Sequence, residues 1–173
     1  QVTFREDWME HRLNCLKNFG IVDQEHVVWV GGNAKMNEFQ AAMGLCNLHH
    51  LDQEIDRRRL VVERYLSGLA GVPGIRLPSF REGLTPNYAY FPVLFEDFKA
   101  DRDQVYDCLA GHRIYPRKYF YPLINDFQCY KGRFSSKDTP VAAYVADRVL
   151  TLPCYADLEL EDVDRICGII RGM

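Results

Sequence analysis

The stretch GGNAKMNEFQAAMGL, residues 31–45, ends a glycine-containing turn and starts a helix within fifteen residues. Asn37 is a good N-cap, and Gln40 stands three positions later, as in a capping box. Helix formers then run from Glu38 to about Ala70 without a proline, and Gly71-Val72-Pro73-Gly74 supplies the stop. About 33 residues at 1.5 Å each reach roughly 50 Å, against ~30 Å for a small domain. This helix is therefore expected to bridge two parts of a larger body, to bend, or to break in two. Leu48, Leu51, Ile55, Val62, Leu66 and Leu69 form its apolar seam, and Asp56, Arg57, Arg58 and Arg59 read as solvated.

Upstream, residues 4–18 carry Trp8, Met9, Leu13 and Leu16 at a rough helical period, with Gly20 as a stop. Residues 26–30 (HVVWV) read as a short strand or an extended loop. Downstream of Gly74 the pattern changes. Residues 75–77 are extended, and residues 88–95 (YAYFPVLF) are a strand in which Pro92 marks a bulge or an edge. A helix is expected over residues 102–111, with Val105, Cys108 and Leu109 on one face. Residues 115–124 (YPRKYFYPLI) are extended and aromatic. Thr139 caps a helix that has Pro140 at its first position and runs to about Leu150. Residues 152–154 are extended, and Glu161 and Asp162 open a last helix with Val163, Ile166, Ile169 and Ile170 on its apolar face. This gives a small α+β unit attached to a long helix.

The 173 residues are 47% hydrophobic, 13% aromatic and 26% charged, enough apolar surface for a core and against disorder. A net charge of −3 argues against a general nucleic-acid binder. No apolar run approaches the ~18–20 residues that span a bilayer, so no membrane partner is expected. The six cysteines include no CxxC pair and no zinc-finger spacing; they read as reduced thiols of a cytoplasmic protein, with no metal site. The first residue is Gln1 rather than Met, which fits a fragment or a processed product.

Several constellations could carry chemistry. Gly31 and Gly32 would let the backbone approach a ligand, and the helix start adds free N–H groups and a positive dipole end. With the Asn33 amide and the Lys35 cation this makes a phosphate or carboxylate site, or else an ordinary turn and cap with Lys35 in solvent. His50 and Glu54 have a spacing a metal could use, but no third ligand accompanies them. His112 reads as a loop residue, and residues 57–59 as a paired helix face rather than a phosphate contact. In residues 117–121, Arg117 and Lys118 adjoin Tyr119, Phe120 and Tyr121, a pattern for stacking a base or sugar while cations meet phosphates, or for an aromatic core strand. No Ser-His-Asp or Cys-His arrangement is legible.

These residues carry a family resemblance. Residues 32–44, GNAKMNEFQAAMG, resemble the G-x-N-[YAG]-[RK]-M-x-E-x-Q-A-A-x-G signature of the DegT/DnrJ/EryC1/StrS sugar aminotransferases, which use pyridoxal 5′-phosphate (PLP). Residues 16–21 resemble the family's L-R-N-x-G segment, residues 57–69 its R-x-x-x-x-x-x-Y-x-x-x-L helix, and residues 120–123 and 150–153 its later Y-F-x-P-L and L-x-L-P segments. The family often places a His after P-L, where this chain has Ile124 and Asn125. The form of the signature is closest to enzymes acting on dTDP-4-keto-6-deoxyhexoses.

The resemblance implies the C-terminal part of a fold-type-I PLP aminotransferase. Residues 1–36 would be a remnant of the large domain and connection, residues 37–71 a long interdomain helix, and residues 72–173 the small α+β domain. It implies a homodimer that moves an amino group, from glutamate, onto a nucleotide-linked keto sugar for surface polysaccharide. Asn33 and Lys35 would serve the cofactor phosphate of the partner subunit, and Arg117, Tyr119 and Tyr121 the nucleotide sugar. The lysine that forms the Schiff base would lie before Gln1, so the chain alone is expected to bind no PLP and to be inactive. Two other classes stay open: a non-catalytic dimerisation or nucleotide-sugar-binding module, and a DNA-binding regulator resting only on residues 57–59.

Overall fold

The computed structural model describes residues 2–173. Two compact units divide the chain, Gln1–His50 and Leu51–Met173.

In the first unit, helix α1 (Asp7–Lys17) ends where Phe19 and Gly20 take left-handed backbone angles, φ 60° and 78°. Cys15 is buried, and Trp29 meets the edge of His11 at 6.3 Å. Residues 26–30 form no strand; one bridge, Ile21 to Val27, is their only ladder contact among the described residues. The next segment pairs with the end of α1. Gly32 donates to the Leu16 carbonyl at 2.9 Å, Phe19 to Gly32 at 3.0 Å, and Ala34 to Lys17 at 2.9 Å. Helix α2 (Glu38–Leu69) follows as one 32-residue helix. Its capping box is complete: Asn37 N–H donates to the Gln40 side chain at 3.0 Å, and Gln40 N–H to the Asn37 side chain at 2.9 Å.

In the second unit a three-stranded antiparallel sheet has the order β1 (Ile75–Arg76), β2 (Phe91–Phe95), β3 (Val149–Leu152). Phe91, Val93 and Phe95 alternate inward from β2, as a half-buried strand requires. They join Val61, Val62, Tyr65 and Leu69 of α2, Val105 and Leu109 of α3 (Arg102–Gly111), and Val163, Ile166 and Ile170 of α5 (Leu160–Gly172) in one core. Tyr65 is fully buried, stacks on Phe91 at 4.8 Å and donates its hydroxyl to the Pro153 carbonyl at 3.0 Å. Burial pushes its hydroxyl pKa upward, so it stays protonated and keeps donating.

Three expectations need correction. Pro92 sits in the central strand, opposite Thr151. Thr151 turns both its backbone groups the other way, to Arg117 (2.7 and 2.9 Å), so the 92–151 pair exchanges no hydrogen bonds. The donorless Pro92 nitrogen then points past the two-residue β1, which reaches only Leu94 and Phe95. Second, the helix expected to reach Leu150 is α4 (Pro140–Ala146), because Val149–Leu152 gains a ladder with β2 and burial of every residue as β3. Third, the α2 seam is buried only toward its C-terminal end. Leu48 and Leu51 are exposed, while Val61 and Tyr65, outside the seam, are buried. No helix among the described residues is long and apolar enough to cross a membrane.

Candidate functional site

The sequence marks one cluster in each unit. In the first unit, Asn33 bridges backbone-to-backbone with Asn18, and its side chain is exposed. Lys35 Nζ donates to the Asn18 side-chain oxygen at 2.8 Å and lies 5.0 Å from the Phe19 ring centroid. The ammonium is thus held by one hydrogen bond and one ring face, with donor capacity to spare. The glycines act differently from expectation. A Cβ on Gly31 would lie 2.3 Å from the Gly20 nitrogen and 2.6 Å from the Leu16 oxygen, so Gly31 serves close packing of the chain on itself. A Cβ on Gly32 would meet nothing within 4 Å, which leaves Gly32 as the open glycine beside Asn33. Asn18 is the partner that motif reading singled out only through its L-K-N-F-G context.

In the second unit, residues 116–127 frame an open cleft of about 720 Å³ that includes Tyr106, Arg117, Lys118, Tyr119, Phe120 and Tyr121. A smaller cup of about 270 Å³ shares Arg117 and Tyr119 and adds Tyr90, Tyr115, Cys154 and Tyr155. The structure thus brings together the three residues expected to meet substrate. Arg117 is fixed by its backbone to Thr151, and its guanidinium reaches the Tyr119 hydroxyl and lies 5.3 Å from that ring's centroid. Tyr119 stacks on Phe120 at 4.8 Å and meets the edge of Tyr90 at 5.8 Å. Sequence reading missed what holds this loop. Asp103 accepts from Lys118 Nζ at 2.6 Å, and the buried Arg102 lies 4.6 Å from the Tyr121 centroid. The hydrogen bond from Lys118, with the charge of Arg102 beside it, holds the Asp103 carboxyl below its ordinary range.

The other candidates separate. Arg57 pairs with Asp157 and Arg59 with Glu63, both at 2.9 Å, but Arg58 is half-buried with its Nε unpartnered among the described residues, contrary to the solvated reading. His112 donates its Nδ1 proton to the Cys108 carbonyl at 2.9 Å, at the end of α3. Around His50 and Glu54, as elsewhere among the described residues, no group of three metal-ligating side chains gathers. Burial pushes the Cys154 thiol up and the Cys167 thiol to about 11, so both stay protonated near neutrality and are poor nucleophiles.

Against a PLP molecule, the first unit fits one end. The exposed Asn33 amide, the Lys35 ammonium and the open backbone at Gly32 suit a phosphate. Neither cluster offers a buried lysine amine: Lys35 is exposed beside Asn18, and Lys118 is neutralised by Asp103.

Beside a helix start that presents Asn33 and Lys35 and an α+β unit that presents a cationic aromatic loop, the sequence profile gives the class of the chain. It belongs to the DegT/DnrJ/EryC1/StrS aminotransferase family, whose profile matches residues 1–171. Among curated relatives it is 42% identical over 164 residues to an Escherichia coli dTDP-4-amino-4,6-dideoxy-D-glucose transaminase, covering 93% of this chain and 44% of that one. A Shigella dysenteriae protein of the same name is 35% identical, with 94% and 45% covered. Among solved structures, Streptomyces venezuelae DesV superposes with a TM-score of 0.86 at 31% identity, over 96% of this chain and 44% of that one. The chain thus spans less than half the length of these relatives. Aminotransferases of this family are PLP-dependent.

Proposed function

We propose that this chain is the C-terminal part of a PLP-dependent aminotransferase that moves an amino group, from glutamate, onto a nucleotide-linked 4-keto-6-deoxy sugar for surface polysaccharide. The observation that carries the reading is the 31–45 segment. Its family signature folds into a capped helix start that leaves Asn33 and Lys35 exposed. The names of the two enterobacterial relatives support the substrate class. In this reading residues 1–36 are a remnant of the large domain and its connection, residues 37–71 are the interdomain helix and residues 72–173 the small domain of a cytoplasmic homodimer.

When bound, PLP supplies the electron sink for amino transfer. Asn33 and Lys35 would hold the phosphate of the cofactor in the partner subunit by an amide hydrogen bond and a charge-assisted one. Arg117 would meet the substrate diphosphate, and Tyr119 and Tyr121 would present ring faces to the base or sugar. The chain alone binds no PLP and does not transaminate, because the Schiff-base chemistry needs a lysine in the family's catalytic context, and none of its six lysines resembles that context. Lys118 is ion-paired with Asp103. Lys17, Lys35, Lys99, Lys131 and Lys137 are exposed on the surface.

The test is Asn33→Ala in the protein extended to the length of its relatives. We expect PLP affinity to fall about tenfold, as for loss of one hydrogen bond to a charged group. Unchanged affinity would remove Asn33 from the site. Amino-donor turnover by the isolated 173-residue chain would overturn the division of labour.

A further inference from the structure

The loop of residues 117–121 is gripped from below at three places, and only one of them is a strand contact. Arg117 is seated on Thr151 of β3 by two backbone hydrogen bonds of 2.7 and 2.9 Å. Lys118 is drawn onto the first turn of α3, where its Nζ lies 2.6 Å from Asp103 Oδ1 and 4.8 Å from the Tyr106 ring centroid. Tyr121 lies over Arg102, whose guanidinium carbon is 4.6 Å from the ring centroid.

Arg102 is the unusual member. It is only 4% exposed, a rare state for an arginine unless it is paired. Its Nη1 donates to the Ala146 carbonyl at 2.9 Å, so one guanidinium ties the last turn of α4 to α3. Its Nε lies 2.5 Å from Asp103 Oδ1 but outside hydrogen-bonding alignment, a contact of charge rather than a directed bond. Asp103 therefore sits between two cations, one buried and one on the loop. The N-terminus of α3 is itself fixed by a complete capping box between Asp101 and Gln104, so the platform under the loop is rigid.

We infer that Arg102 and Asp103 are positioning residues for the candidate substrate loop, holding Tyr121 and Lys118 so that Arg117 and Tyr119 face the cleft in one arrangement. Neither needs to touch a ligand. Both act through a neighbour, and a preorganised loop spares the ordering cost that a mobile one would incur on binding. The inference rests on the reading that this loop meets a nucleotide sugar, but the grip itself is independent of it.

The test uses the whole chain with Asp103→Asn, which removes the charge at an exposed position, and Arg102→Lys, which keeps the charge but loses the fork. Amide hydrogen exchange is followed separately in residues 117–121 and in β2 and β3, with thymidine 5′-diphosphate as the binding probe. We expect loop exchange to accelerate at least fivefold in Asp103→Asn, with sheet exchange unchanged, Tm lowered by no more than about 1 °C and the probe bound several-fold more weakly. The double variant Asp103→Asn with Lys118→Met should accelerate loop exchange no more than Asp103→Asn alone, since the two side chains act as one pair. Unchanged loop exchange in Asp103→Asn, or acceleration shared equally by the sheet, overturns the inference. If the parent chain does not bind the probe while the loop still responds, the positioning role stands and the nucleotide-sugar reading of the loop falls.

Discussion

The two ends of helix α2 share one backbone and differ in almost everything else. Toward the C-terminus, Val61, Val62, Tyr65 and Leu69 are each at most 1% exposed. Toward the N-terminus, Phe39 is 88% exposed, Met43 62% and Leu48 64%, in a stretch that is no less apolar. Composition thus does not decide burial along this helix; the presence of packed neighbours does. A helix apolar around its whole circumference is one that a stable protein covers on all sides. The exposed half agrees with relatives more than twice as long, in which further chain is available to pack.

That contrast can be broken most sharply by truncation at both ends of the helix. Tyr65→Ala should cost about 3–5 kcal/mol in urea unfolding of this chain, as large aromatic truncations in a core do. Leu48→Ala should cost less than about 0.5 kcal/mol, the usual range for exposed positions. If the longer protein covers this face, the same Leu48→Ala there should rise to about 2 kcal/mol or more. Equal costs in both contexts would show that the N-terminal half of α2 stays bare.

A subtler change sharpens the buried end. Tyr65→Phe keeps the stack on Phe91 and removes only the bond to the Pro153 carbonyl. A loss of about 1 kcal/mol is expected, the net value of one such hydrogen bond. A loss near that of the alanine variant would show that the hydroxyl, rather than the ring, dominates this site.

The smallest effect is electrostatic. Asp103 has a folded-state pKa below its unfolded value, so its contribution is fully present above the unfolded pKa and fades as pH falls through the folded one. With Asp103 half-exposed to solvent, this amounts to a few tenths of a kcal/mol and weakens with salt. Comparing the parent with Asp103→Asn from pH 7 down to pH 2 should show the stability gap closing in acid. A gap that widens in acid would contradict the sign.

Much of this architecture was legible in advance where local signals and tertiary packing agree. The Asn37–Gln40 box and the Gly71–Gly74 stop bracket α2 because capping chemistry is local. The span of α3 follows from its apolar face and Gly111, and the start of α5 from Glu161 and Asp162 in its first turn, although the Asp101–Gln104 box of α3 was not read and Glu159 makes no side-chain cap. Legibility failed where distant contacts overrode local preference. Residues 149–150 continue a helical pattern, yet pairing with β2 makes them strand. Pro92 argues for an edge, yet its neighbours turn their hydrogen bonds elsewhere. Of the loop, the alternation of cations and aromatics was visible, and Arg117, Tyr119 and Tyr121 do share a cleft. Its partners Arg102 and Asp103 left no signal, because they are fourteen or more residues away and look like an ordinary charged first turn.

The seat of Arg117 on Thr151 has a further consequence. Those two hydrogen bonds lie on the outer side of β3, the side that β2 does not cover. An open strand edge is a template on which another molecule can add a strand. Here a residue of the candidate substrate loop occupies the inner part of that edge, so the loop also guards the sheet against unwanted partners. Changes that loosen the loop, Arg117→Pro above all since it deletes the N–H donor, would therefore do more than weaken a binding site. They would expose an adhesive edge, and solubility would register the damage alongside activity.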